Sequence, residues 1–338
     1  MMSRRYRRFQ PPPVGKVLLS LLVIVYLVAI VRFLYTTVPA SLAIVKSLYT
    51  AVTAPWETIS EHPVATNPGV VIKHWTAAHM RSATDADEQD SNVSTLTQVS
   101  SVESPGKAAQ QQGQPPLNGD PTYPLSTVGK VFFSNAAGQD FVCSGTAVRS
   151  DNQSVVDTAG HCLYWNSDWV QNVIFCPLYE NGSTPYGCWV ARDLEVPSDW
   201  INAKANDFHH DMGMAIVSPN SQGLLTDLVG GAGWAYNQPA NQPFYAYGYP
   251  AGYPFDGQTR QSCEGASGKI WQHGGGSVVS IRCDMTGGSS GGPWFIQSGD
   301  QWYLNGHNDF VSSIQPGHMF SPYYDDTWYA LYDKAQHS

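Results

Sequence analysis

From Tyr123 onward the sequence predicts an all-β domain closed by a single helix. Three observations carry that expectation. Short runs of β-branched and aromatic residues recur between turn clusters, the composition is rich in turn formers, and only the last segment has a helical period. Charged residues make up 13% of the chain, against 31 glycines and 23 prolines, a balance poor in helix formers.

The runs, in order, are "VGKVFF", "DFVCSGTAV", "QSVVDTA", "NVIFCPL", "MGMAIV", "PFYAYGY", "SVVSIRC", "PWFIQ" and "WYLNGH". Many short strands at such spacing suggest a barrel or a sandwich. In the tail, Trp328, Leu331, Tyr332 and Ala335 fall at i, i+3, i+4 and i+7, one face of a helix from about Pro322 to the end.

Ahead of this domain the chain changes character twice. Residues 1–16 are basic, with Arg4, Arg5, Arg7, Arg8 and Lys16, and they lead into an apolar run from Val17 to Val31. Basic residues before an apolar run keep the N-terminus in the cytoplasm and send the downstream chain across the membrane. Residues 17–38 are therefore expected to be a signal anchor or a cleaved signal peptide. The domain beyond is expected at the cell surface or outside the cell, held to the membrane through the N-terminal helix unless cleaved. Residues 39–122 read as a linker, largely disordered: from about Thr76 they are dominated by Ser, Thr, Gln, Asp and Pro, too polar to offset their ordering entropy. A net charge of -9, with no Lys/Arg cluster after residue 16, argues against nucleic acid as a partner.

All six cysteines lie beyond residue 140: Cys143, Cys162, Cys176, Cys188, Cys263 and Cys283. Sequence alone leaves on the order of 15 pairings open. Sequential neighbours would enclose three short loops. No C-x-x-C pair is present, so a zinc site is disfavoured. Disulfides need an oxidising compartment, which agrees with export.

The stretch "CDMTGGSSGGPWF", residues 283–295, sets two serines among glycines. Such a run is destabilising unless the backbone needs unusual dihedrals or a close approach. A serine hydroxyl becomes a nucleophile only beside a general base that a third group orients. His161 in "VVDTAGHCLYW" is a candidate base. Asp211, ahead of the apolar alternation Met212, Met214 and Ile216, is a candidate orienting acid. A metal reading of His209, His210 and Asp211 is weak, because neighbouring side chains on a strand point to opposite faces. No metal and no cofactor is expected.

"TAGHC", Asp211 before an apolar strand, and "GSSGGP" at 288–293 occur in that order. Together they resemble the His, Asp and Ser motifs of the chymotrypsin/trypsin-like serine proteases. "CSGTAV" upstream fits too, and "VGKVFF" with the "GGSSG" loop is closest to the bacterial glutamyl-endopeptidase-like branch. The resemblance covers roughly residues 123–338. It implies two six-stranded β-barrels with a C-terminal helix, and a serine endopeptidase acting on protein or peptide substrates, expected to be a monomer. His161, Asp211 and Ser290 would form the triad, with the N–H groups of Gly288 and Ser290 as the oxyanion hole. The disulfides implied are Cys143–Cys162, Cys176–Cys188 and Cys263–Cys283. The order His, acid, Ser differs from the Ser, acid, His order of α/β-hydrolases.

Two features depart from the digestive members. Ser289 stands where they place the Asp that pairs with a newly cut N-terminus, so activation by that ion pair is not expected. Specificity is divided: Asp284, six residues before Ser290, suits a basic substrate side chain, whereas His307 and Asn308 in "NGHNDF" suit an acidic one. By count His307 stands one position early, which on a strand turns it to the other face. The alternative function is a catalytically silent protease fold serving as a binding module.

Overall fold

The computed structural model describes residues 58–86, 96–99, 111–112, 122–203, 207–273 and 276–338. The basic segment and the apolar run of residues 17–38 lie outside them. Among the described residues no helix is long and apolar enough to cross a membrane.

The molecule is mostly β. The longer strands of its first half are β1 (Ile59–Pro63), β2 (Val128–Ser134), β3 (Asp140–Val148), β4 (Val155–Thr158), β5 (Gln171–Pro177), β6 (Trp189–Pro197) and β7 (Gly213–Val217). Six of them close on themselves in the order β6-β5-β2-β3-β4-β7, because β7 pairs back onto β6. Closure leaves the barrel without free edges, and β1 adds outside it, antiparallel to β6. Inside, Val131, Phe133, Val156, Phe175, Trp189, Leu194 and Ala215 form one core.

β2 is buried along its whole length, so its run is apolar on both faces. Phe133 points into the barrel core, while Phe132 points outward and meets Trp75 at 5.3 Å between ring centroids. Trp75 belongs to a strap, residues 58–86, that departs from the expected linker over 39–122. The strap contains β1 and two short helices, α1 (Pro68–His74) and α2 (Ala77–Ser82), capped by Asn67 and Thr76. Val71, Trp75 and Met80 are buried against the barrel, enough apolar area to hold an otherwise polar segment. Thr84 and Asp85 then pair in parallel with Phe141 and Val142.

The second half consists of two sheets. One runs β10 (Gln261–Ser267), β9 (Pro243–Gly248), β13 (Pro293–Ser298), β14 (Gln301–His307), β8 (Gly233–Ala235), with residues 111–112 at its edge. The other runs β15 (His318–Pro322), β12 (Gly276–Arg282), β11 (Lys269–His273), with residues 97–98 at its edge. Among the described residues, only the first half closes into a barrel by continuous pairing. The last element, α3 (Asp326–Gln336), is capped by Asp325 and buries Trp328, Leu331, Tyr332 and Ala335, the four positions expected from its period. Trp328 donates its Nε1–H to Asp157 Oδ1 of β4 at 2.8 Å, which ties the helix to the barrel. The three disulfides join Cys143 to Cys162, Cys176 to Cys188 and Cys263 to Cys283, as the resemblance implied.

Candidate active site

β4 ends at Thr158 and leads into a single 3-10 turn, Gly160–Cys162, that carries His161. Gly160 leaves room there for the carboxylate of Asp211: a Cβ on Gly160 would come within 2.9 Å of Asp211 Oδ1. Asp211 itself is completely buried, just before β7. It holds His161 twice. Oδ1 accepts the main-chain N–H of His161 at 2.7 Å, and Oδ2 lies 2.9 Å from Nδ1. That grip orients the ring and leaves its Nε2 on the far edge. The Cys143–Cys162 disulfide pins the same turn to β3.

Ser290 enters from the second half on the glycine loop. The loop is fastened to the first barrel by Ser144 of β3. Ser144 donates its main-chain N–H to Ser290 O at 2.7 Å and its hydroxyl to Gly288 O at 3.0 Å. Gly288 has φ +87°, a region that favours glycine. Ser289 donates its hydroxyl to Thr286 O at 2.8 Å, a bond made within the loop itself. Ser290 Oγ donates to Asp309 O at 3.3 Å. His161, Asp211 and Ser290 thus line one cavity of about 120 Å³ between the two halves.

A second loop supports the first from behind. Ala251 donates its N–H to Gly287 O at 2.6 Å, and Thr286 Oγ1 donates to Gly252 O at 2.8 Å. That loop is in turn anchored by Lys130 of β2, whose Nζ donates to Gly257 O at 2.7 Å while lying over the rings of Phe132 and Tyr179. Burial pulls the Lys130 ammonium down to about 7, with Asp256 acting weakly against it.

The three residues expected on the substrate side lie elsewhere. Asp284 is exposed, while its neighbour Met285 is buried instead. His307 is completely buried behind Asp211. Asn308 is buried as well and braces the glycine loop, donating to Tyr247 O at 2.8 Å and Ser289 O at 3.1 Å. The cavity wall is instead apolar, with Trp165, Trp200, Phe208, Phe310, Val311 and Met319. His209 and His210 face different partners: His209 Nε2 meets Asp325 at 3.3 Å, and His210 Nδ1 meets Asp207 at 2.8 Å. Sequence reasoning missed Ser144, Lys130 and Asp309, whose roles depend on contacts far along the chain. Ser144 stands in "CSGTAV", Lys130 in "VGKVFF" and Asp309 in "NGHNDF", but those short runs do not show the distant partners.

No family model matches the chain, and no curated protein matches it. Solved structures do. A thermostable serine protease, AL20, from an extremophilic microorganism is similar at 39% identity and a TM-score of 0.56, over 63% of this chain and 98% of that one. The protease Anisep from Arthrobacter nicotinovorans is similar at 33% identity and a TM-score of 0.56, over 68% of this chain and all of that one (100%). With a closed six-stranded barrel, a histidine gripped by a buried aspartate, and near-complete coverage of a serine protease at 39% identity, the chain belongs to the chymotrypsin-like serine protease family.

Proposed function

We propose that the protein is a serine endopeptidase in which Ser290 is the nucleophile, His161 the general base and Asp211 the group that orients it. Ser290 Oγ attacks the scissile carbonyl, and His161 Nε2 takes its proton and returns it to the leaving amine. The acyl-enzyme is then hydrolysed by water through the same base. Gly288 and Ser290 are the oxyanion donors in this reading, each contributing roughly 3 kcal/mol to the transition state. The observation that carries it is the double hold of Asp211 on His161 at a cavity shared with Ser290. The two sheets of the second half take the place of the second barrel.

The substrate is a protein or peptide, as for the family. The apolar wall favours apolar side chains near the cut bond over Arg, Lys or Glu. Neither Asp284, exposed outside the cavity, nor His307, buried behind it, is placed to select a charge. Export, anchoring by residues 17–38 and a monomeric state complete the proposal. They rest on the basic and apolar N-terminal segments and on the cysteines.

A fluorophosphonate probe tests the chemistry directly. The full chain should be labelled, and Ser290→Ala should not. A folded full-length protein that resists the probe would mark a silent protease fold.

A further inference from the structure

The strap brings two imidazoles to one carboxylate of the barrel. His74 closes α1, and its Nε2 lies 2.8 Å from Asp140 Oδ1. His79 stands in α2, and its Nδ1 lies 3.3 Å from Asp140 Oδ2. One ligand atom from each of the three side chains lies within 4.8 Å of the other two. The two rings meet edge to face, 5.0 Å between centroids. Four-coordinate zinc holds nitrogen and oxygen ligands at about 2.0–2.2 Å, which sets those atoms roughly 3.3 Å apart. The two nitrogen–oxygen distances stand close to that spacing.

Each of the three side chains is fixed from behind. Trp75, next to His74, is buried and donates its Nε1–H to Asn172 O at 2.6 Å. Met80, next to His79, is buried in the same core. Asp140 begins β3, and its Oδ1 accepts from the hydroxyl of Ser134, a buried residue at the end of β2, at 2.8 Å. Ser134 Oγ in turn accepts from Asn172 Nδ2 at 3.1 Å. An outer partner of this kind orients a ligating carboxylate. On the open side the His79 side chain is 50% exposed, so an ion can reach the cluster and water can complete its shell. The cysteines and the row His209–Asp211 gave the sequence no reason to expect a metal. This set escapes for another cause, since Asp140 stands 66 positions beyond His74.

We propose that His74, His79 and Asp140 form a site for a zinc-class divalent ion that clamps the strap to the barrel. Two imidazole nitrogens and one carboxylate oxygen suit a borderline ion such as zinc. Calcium and magnesium take oxygen ligands and are not expected here. The imidazoles ligate in their neutral form, through the nitrogens that face the carboxylate. Both helices of the strap and the first residue of β3 are then joined through a single ion. The inference is independent of the chemistry at Ser290.

The test is calorimetric titration of zinc(II) alone into the chelator-stripped full chain and into its His79→Ala and Asp140→Asn variants, with melting temperatures read with and without the ion. The parent chain should bind zinc and melt higher with it, because an ion held only by the folded state stabilises that state. Both variants should lose that binding and that rise. Circular dichroism identifies which variant is folded, and the half-exposed His79 is the safer of the two to replace. A parent chain that binds no zinc overturns the proposal. So does binding that persists, with its rise in melting temperature, in a folded variant, the result expected if zinc were held instead at His161, Asp211 and Asp309.

Discussion

The ring of His307 connects Asp211 to the interior of the molecule. Its Nε2 lies 3.0 Å from the main-chain oxygen of Asp211, and its Nδ1 lies 2.8 Å from the Tyr324 hydroxyl. A nitrogen facing a carbonyl must carry the hydrogen, so Nε2 is the donor. Tyr324 in turn donates to Asp157 at 2.8 Å, where Trp328 of α3 also arrives. Burial, with Asp157 beside it, pushes the Tyr324 hydroxyl well above its ordinary value, which suits a constant donor. The turn that holds Asp211 is thus supported from the C-terminal helix. His307→Phe keeps a planar ring and removes the bond to Asp211. It should lower unfolding stability by about 1–3 kcal/mol, the cost of leaving buried polar groups unpaired, as read by urea denaturation. Unchanged stability would mean that this chain of contacts carries no weight.

Ser290→Ala and His161→Ala should abolish nearly all acyl transfer. Asp211→Asn should cost on the order of 10⁴ in kcat, through the wrong histidine tautomer. His210→Ala should be tolerated, since its ring pairs only with neighbouring acids. His209→Ala should keep the chemistry and lose stability, because the buried ring links Asp325 to Ser277. A His210→Ala enzyme as slow as His161→Ala would reassign the base.

Lys130 gives the stability of the fold a slope with pH. In the folded protein its ammonium titrates at about 7, against 10.5 in a free lysine, because burial penalises the charge. Between those values the unfolded chain holds a proton that the folded protein has released. Stability therefore rises with pH across the window from 7 to 10.5, and is lowest below it, where both states are charged. Lys130→Met should flatten that rise. It should also slow turnover, because Gly257 and the loop behind Gly287 lose their anchor. Denaturation midpoints at several pH values compare the two slopes.

Start sites should affect stability more than turnover. Ser289 bonds to Thr286 within its own loop rather than to a new N-terminus, so the glycine loop should need no defined cut. Chains beginning at residue 100 and at residue 123 should show equal kcat per titrated active site. Both should melt below a chain beginning at residue 58, because losing the strap uncovers Phe132, the ring that Trp75 packs against. Activity confined to one exact start would point to a different contact ordering the site.

How far the sequence reaches is clear from individual strands. Each of the nine runs coincides with a strand, because alternating or doubly buried apolar residues leave a local mark. β6 leaves no such mark, because "WVARDLEVP" looks too charged for a buried strand. Its Glu195 is buried against Lys334 of α3, at 3.0 Å, and the hydroxyl of Ser338, at 2.6 Å, partners more than a hundred residues away. The strap escapes for the same reason: Val71, Trp75 and Met80 gain their burial from a barrel formed later in the chain.

The sequence by itself determined the all-β class, the terminal helix and the positions of His161, Asp211 and Ser290. Motif order and local periodicity are written in neighbouring residues. Only the tertiary structure decided what surrounds them. It turned Asp284 outward and His307 behind Asp211, and it brought Asp309 to the imidazole. Those outcomes depend on which strand faces meet across the cleft, and side-chain direction there is set by pairing register and packing rather than by any short stretch of chain.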